Sequence, residues 1–441
     1  MQQKKYGLFT AITMVVGIVV GSGIFFKSDN ILRYTNGNIF LGVLVFIIAA
    51  VGIIFGSLTI SELSSKTNNA GGLIAYAEEF IGKRVACSIG WFQTFIYYPV
   101  LTAVVSWVVG IYTCILFNLE STLELQILIG SAYMVFSYLI NTLSAKLGGY
   151  FQNIATIIKI IPLIFIAVGG LMFGDVSHFL LTNNLGQVAT SVGWIAALGP
   201  IAFSFDGWII ATSISHEVKN SKRNLPVAYT VAPLFILIAY ILYFVGISIY
   251  VGPEKIIELG DAHVNVVANN LLGPFGAKIV LIFVVISVMG TVNGIVLGSI
   301  RMPYSLSLRG MFLKSVEQIN TKFDVPIKSS LVAFGLCIFW MICHYITQKY
   351  NFFNNSDISE GFVVISYAIY IVLYIKVILM HKKGEIKGVF RGVINPILAI
   401  WGSLIILYSG FQNSTFYFYI VVSAVVMGLS IWFIRSKKVD N

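Results

Sequence analysis

The chain has 441 residues, 58% of them hydrophobic and only 10% charged. A water-soluble domain carries about 25% charged residues, so too few polar groups are present to cover a surface in contact with water. Lipid is the expected solvent, and the net charge of +10 implies no nucleic-acid partner, because loop charges of a membrane protein account for it.

A membrane-spanning helix needs about twenty largely apolar residues. The first residues, 1–7, are short and polar, and no small-residue cleavage site follows them, so no removable signal peptide is expected. The first span, near 8–34, is interrupted by Gly21-Ser22-Gly23. Spans follow at 34–61, 85–119 and 125–145, then at 147–174, where Lys159 breaks the apolar run. A second glycine-interrupted span covers 192–216, and others cover 224–253, 279–300, 329–348 and 361–380. The window 392–434 holds two spans around a turn at 409–415, which brings the expected total to about twelve. With a cytoplasmic N-terminus, most basic residues fall on the cytoplasmic side, among them Lys4, Lys66, Lys83, Lys146, Lys219, Arg309, Lys322, Lys382 and Arg435. The opposite loops receive only Arg33, Lys255, Lys278 and Lys349. This positive-inside pattern predicts a multi-pass protein of the cell membrane with both termini in the cytoplasm.

Cys87, Cys114, Cys337 and Cys343 lie in apolar runs without metal-ligand spacing, which reads as buried thiols with no metal or cofactor. His178, His216, His263, His344 and His381 show no helical pairing with carboxylates and read as loop or helix-end residues. Lys27 and Asp29 stand one turn beyond the Gly-Ser-Gly break, where they either shape an outer vestibule or are ordinary half-helix charges. Pro99 predicts a kink in the third span.

The two interrupted spans carry the most information. Glycine in mid-span weakens a helix where lipid offers no replacement hydrogen bonds. The sixth span reads Gly199-Pro200-Ile201-Ala202-Phe203-Ser204-Phe205-Asp206-Gly207-Trp208, with an acid beside glycine a few residues after a proline. Paired interrupted helices at matching places in two halves of a chain point to a transport site. The start of a half-helix offers free N–H groups and positive dipole, which suit a carboxylate. The end of a half-helix offers free carbonyls, which suit an ammonium. A pocket between two such breaks binds both charges of an α-amino acid.

These residues, together with Glu62, Gly71-Gly72 and Tyr76, Lys222-Arg223-Asn224-Leu225-Pro226, and Thr291-Val292-Asn293-Gly294, resemble the amino acid–polyamine–organocation superfamily. The resemblance is to its L-type amino acid transporter branch, and most to the bacterial serine/threonine and alanine/serine/cysteine exchangers. It covers about residues 5–435. It implies an all-α membrane fold of LeuT type, a single transporter domain with inverted repeats at 8–173 and 192–381 and extra helices at 392–436. The substrate carboxylate would then meet Gly21, Ser22, Gly23 and Ile24, including the Ser22 hydroxyl. The ammonium would meet carbonyls of Val19, Val20, Phe203, Ser204 and Asp206, and Phe203 would be the aromatic gate. The family often has a small residue where Asp206 stands, and a backbone-bracing role is favoured for it over contact with the ammonium. Asn68-Asn69-Ala70 replace the family's usual proline before the glycine pair.

Lys159 sits about ten residues into its span, too deep to reach an interface, and a charge at such depth is functional by default. In sodium-coupled relatives of the fold, a cation bridges the first and eighth spans near this place. By resemblance the Lys159 ammonium substitutes for it, with first-span carbonyls and Tyr240 as partners. The expected function is a sodium-independent exchanger of small neutral amino acids. The alternatives are a proton-coupled symporter and a transporter of cationic amino acids or polyamines. A polytopic membrane enzyme is the remote alternative, because no loop carries a catalytic cluster; the chain reads as not an enzyme. Residues 117–122 contain no cysteine, so no covalently tethered accessory glycoprotein is expected.

Overall fold

The computed structural model describes residues 7–67, 72–143, 151, 154–181, 192–209, 218–320, 325–353 and 356–439. The expectations for Asn68–Gly71, Lys4, Lys146, His216 and Lys322 fall outside the described residues, as does the side chain of Ser22. Among the described residues the architecture is all-α, with one isolated bridge between Asn320 and Val325.

The chain opens with α1 (Leu8–Val19) and α2 (Ser22–Tyr34), which meet at 52°. Then follow α3 (Ile39–Ser64), the short α4 (Leu73–Phe80), α5 (Lys83–Phe117), α6 (Leu123–Leu143) and α7 (Ile154–Phe173). A 3₁₀ turn at Val192–Ala197 leads into α8 (Leu198–Ser204). The remainder is α9 (Ser221–Val251), α10 (His263–Leu308), α11 (Ile327–Lys349), α12 (Ser359–Lys382), α13 (Phe390–Phe411) and α14 (Phe416–Val439). Ten continuous helices among the described residues are long and apolar enough to span a membrane, and the bent α1–α2 pair makes an eleventh. The remaining expected span is represented by the short apolar helix at Gly193–Ser204.

Helix irregularities follow from local chemistry. In α5 the backbone widens to a π-turn at Gln93–Tyr97, just before Pro99, whose missing N–H breaks the regular ladder. In α10 the kink falls at Gly273, directly before Pro274. Packing then sorts the helices. α5, α10 and α12 are largely buried, whereas α6 and α14 are largely exposed. The exposed faces carry Leu128, Phe136, Val425 and Trp432, the composition expected of a lipid-facing surface. α3 lies against α9 and α13, and α8 lies against both α2 and α12. Small residues let backbones approach at these crossings. Arg309 at the end of α10 pairs with Glu78 of α4 at 2.9 Å, a tie between two helix ends.

The α3–α13 crossing is tight enough to test. A Cβ at Gly402 would stand 2.4 Å from the Gly52 Cα. Gly402→Val is expected to destabilise the bundle by about 1–3 kcal/mol, measured as a lowered unfolding midpoint of the detergent-solubilised protein.

Candidate functional site

Helix α1 stops at Val19. Val20 is extended, with φ −69° and ψ 107°, and α2 begins at Ser22 with no side-chain cap over its first turn. The leading N–H groups of α2 are therefore left without helical partners. Helix α8 stops in the same way: Ser204 is its last residue, and Phe205 and Asp206 donate to the carbonyls of Ile201 and Phe203, both at 3.0 Å. The turn then passes through Gly207 at φ 97°, a left-handed conformation that strongly favours glycine.

The two breaks touch. A Cβ on Gly23 would stand 2.4 Å from the Ser204 Cα, so only glycine allows the start of α2 to reach the end of α8. One side chain ties both ends: the Tyr240 hydroxyl of α9 is shared between the Ser204 carbonyl at 3.0 Å and the Val19 carbonyl at 3.2 Å. Tyr240 thus departs from the expectation that it would serve Lys159. An unpaired peptide group in an apolar setting costs roughly 2–7 kcal/mol, and a buried hydroxyl at the paired breaks lowers that cost on both sides.

A small cavity lies beside this junction, lined by Ile18, Val19, Gly23, Leu101, Val105, Phe203, Asp206, Gly207, Thr291 and Ile295. Its volume of about 30 Å³ is room for roughly two waters, too little for an α-amino acid. Of the residues singled out from sequence, Val19, Gly23, Phe203 and Asp206 line the cavity. Val20, Gly21 and Ile24 are buried in and beside the first break, and Ser204 ends the second. A larger, apolar cavity of about 730 Å³, bordered by Phe339, Phe352 and Phe418, opens between α11 and α14 toward exposed side chains and lacks the charge complement a zwitterion needs.

Asp206 is held by an interaction the sequence did not suggest. The hydroxyl of Tyr97, presented by the π-turn of α5, donates to its two carboxylate oxygens at 2.8 Å each. The Gly207 N–H also reaches it, so the backbone-bracing expectation describes only part of its surroundings. No cation among the described residues pairs with Asp206, although the carboxylate borders the cavity. Where a kink at Pro99 was expected, the helix carries a π-turn at Gln93–Tyr97 instead, and the side chain this turn would present was not legible.

Lys159 is fully buried and donates to the Gly17 carbonyl of α1 at 2.5 Å. A Cβ on Gly290 of α10 would stand 4.0 Å from its Cε, so the lysine lies between α1 and α10. The carbonyl it meets is one turn before the break, rather than in it. His344 differs from the helix-end expectation: it is completely buried within α11, against the Trp107 ring at 4.6 Å. Lys27 is likewise buried and paired with Asp357 and Glu360, partners more than 300 residues away in the chain.

Two substitutions test this junction. Gly23→Ala is expected to lower substrate binding at least about tenfold, equivalent to 1.4 kcal/mol, by driving α2 away from α8. Tyr240→Phe is expected to cost about 1 kcal/mol through loss of the shared hydrogen bond. Isothermal calorimetry with purified protein measures the first, and thermal unfolding the second.

The amino acid permease family model matches residues 6–434. The serine/threonine exchanger SteT of Bacillus subtilis (strain 168) is 27% identical over 99% of this chain and 98% of its own length. The b(0,+)-type amino acid transporter 1 of Mus musculus is 28% identical over 80% of this chain and 72% of its own. The Asc-type amino acid transporter 1 of Homo sapiens is 26% identical over 76% and 64%, respectively. With two broken spans meeting at a small central cavity, and a family match over nearly its full length, the chain belongs to the amino acid permeases of the amino acid–polyamine–organocation superfamily, membrane transporters and not enzymes.

Proposed function

We propose that the protein is a sodium-independent exchanger of small neutral L-amino acids, such as alanine, serine, cysteine, threonine and glycine, working by alternating access. The observation that carries this reading is the contact between two broken helices, which brings an uncapped helix start and two helix ends to one small cavity. The α2 start would receive the carboxylate and the α1 and α8 ends the ammonium, with Phe203 as the gate. The name of the end-to-end relative, a serine/threonine exchanger, supports amino acid exchange. A lysine between α1 and α10 supports independence from sodium, since its ammonium would do the work of a bound cation. In this reading residues 8–173 and 192–381 are inverted halves, 392–436 are added helices, and both termini are cytoplasmic. No covalent glycoprotein partner is required.

One observation favours a second reading. The Asp206 carboxylate borders the cavity with no cationic partner among the described residues, which suits a substrate with an extra positive charge, a cationic amino acid or a polyamine.

Reconstitution tests these readings together. Vesicles loaded with serine are expected to take up labelled serine many-fold faster than empty vesicles, equally in sodium and in choline. Uptake into empty vesicles driven by an inward proton gradient would replace exchange with proton symport. Lys159→Ala is expected to slow exchange at least about tenfold. Competition by lysine or putrescine, lost in Asp206→Asn, would establish the cationic reading in place of the neutral one.

A further inference from the structure

The strongest cluster outside the substrate cavity is the charge triad built on Lys27, midway along α2. The Lys27 ammonium is 1% exposed and donates to Asp357 Oδ2 at 2.5 Å and to Glu360 Oε1. Its charge also lies over two aromatic rings, 4.7 Å from the centroid of Phe26 and 5.1 Å from that of Phe203. Glu360 Oε2 faces Gly199 of α8, where an added Cβ would stand 4.0 Å away. The triad therefore sits where α2, α8 and the start of α12 converge, against the aromatic ring that borders the substrate cavity.

Its charges do not balance. One ammonium faces two carboxylates, and the buried remainder is negative unless one proton is bound. Among the described residues, the surrounding groups do not supply the missing charge. From α2, Asp29 and Tyr34 interact electrostatically with the triad; Asp261 does so with Lys27 from the turn before α10, Tyr419 with both carboxylates from α14, and His344 with Asp357 and Lys27 from α11. Arg33 is half exposed and lies 4.0 Å from Asp29. Burying an uncompensated charge is strongly unfavourable, so the closed arrangement is stable with one proton on the pair. The two carboxylates are not equivalent. Asp357 accepts from Lys27, from the Ser359 N–H at 2.7 Å and from the Ser359 hydroxyl. Glu360 has Lys27 and Ser356. The better-solvated charge is that of Asp357, which leaves Glu360 as the proton carrier.

We propose that Lys27, Asp357 and Glu360 form a proton-binding latch: closing α2 onto the start of α12 takes up one proton at Glu360, and opening on that side releases it. The side is external under the orientation proposed above, and the latch rests on the alternating-access reading but not on the identity of the amino acid. In an exchanger the proton returns to the same side at each opening, so external pH sets the opening equilibrium without net proton transport. Raising external pH removes the proton, leaves two ionised carboxylates on one lysine, and shifts the population toward the open form.

A cysteine placed in the cavity reads this without substrate. Ile295→Cys is labelled from outside intact cells with a membrane-impermeant maleimide, with the parent chain as blank. Its labelling rate is expected to rise with external pH by up to about tenfold per unit beyond the thiol's own titration, the limit for one linked proton. Adding Glu360→Gln, which mimics the protonated carboxyl, is expected to hold labelling low and remove the extra pH dependence. Adding Lys27→Met is expected to raise labelling at every pH. The same pH dependence with and without Glu360→Gln overturns the latch while leaving the transport reading intact. Absence of external labelling in every chain overturns alternating access to this side, and the latch with it.

Discussion

Everything at the centre of this protein depends on two helices ending where a continuous helix would have satisfied its own peptide groups. Val19 and Ser204 are the last residues of their segments, and the same Tyr240 hydroxyl serves both carbonyls. In lipid such ends have no water to fall back on, so they persist only where other protein groups surround them. The fold is arranged accordingly. α5 and α10 wall the cavity through Leu101, Val105, Thr291 and Ile295, while α9 supplies the hydroxyl that ties the ends. The interruption is thus a property of the assembled bundle as much as of the glycines that permit it.

Charge is handled differently at three buried positions. Lys159 has a carbonyl partner and no carboxylate among the described residues, so its positive charge is shared with a helix backbone. Asp206 has a phenol and an N–H, so its negative charge is shared with donors that carry none. Lys27, by contrast, meets two carboxylates. Buried charges without full compensation are costly and recur at moving or binding parts of proteins. The three lie on different elements, Lys27 on α2, Asp206 just past the end of α8, and Lys159 between α1 and α10.

Much of the helical framework was readable without coordinates. Long apolar runs identify spans because lipid tolerates little else, and the breaks at Gly21–Gly23 and Asp206–Gly207 stood out because glycine and an acid are costly there. Lys159 was visible for the same reason. What could not be read was direction. Pro99 announced a disturbed helix, but only the π-turn's geometry turns Tyr97 toward Asp206. Tyr240 was picked out as important and paired with the wrong neighbour, because its hydroxyl can reach several groups and sequence carries no angles. His344 looked like a helix-end residue five positions from the close of its span, yet packing covers it completely.

By itself, then, the sequence determined the solvent, the spans and the two places where the helices fail, since each is a local matter of hydropathy and backbone freedom. The tertiary structure decided which charges meet. Lys27 lies 330 residues from Asp357 and 333 from Glu360, and no local pattern encodes a contact over such separations. It exists because α2 and the start of α12 pack against the same short helix, bringing three ionisable groups together in the buried interior.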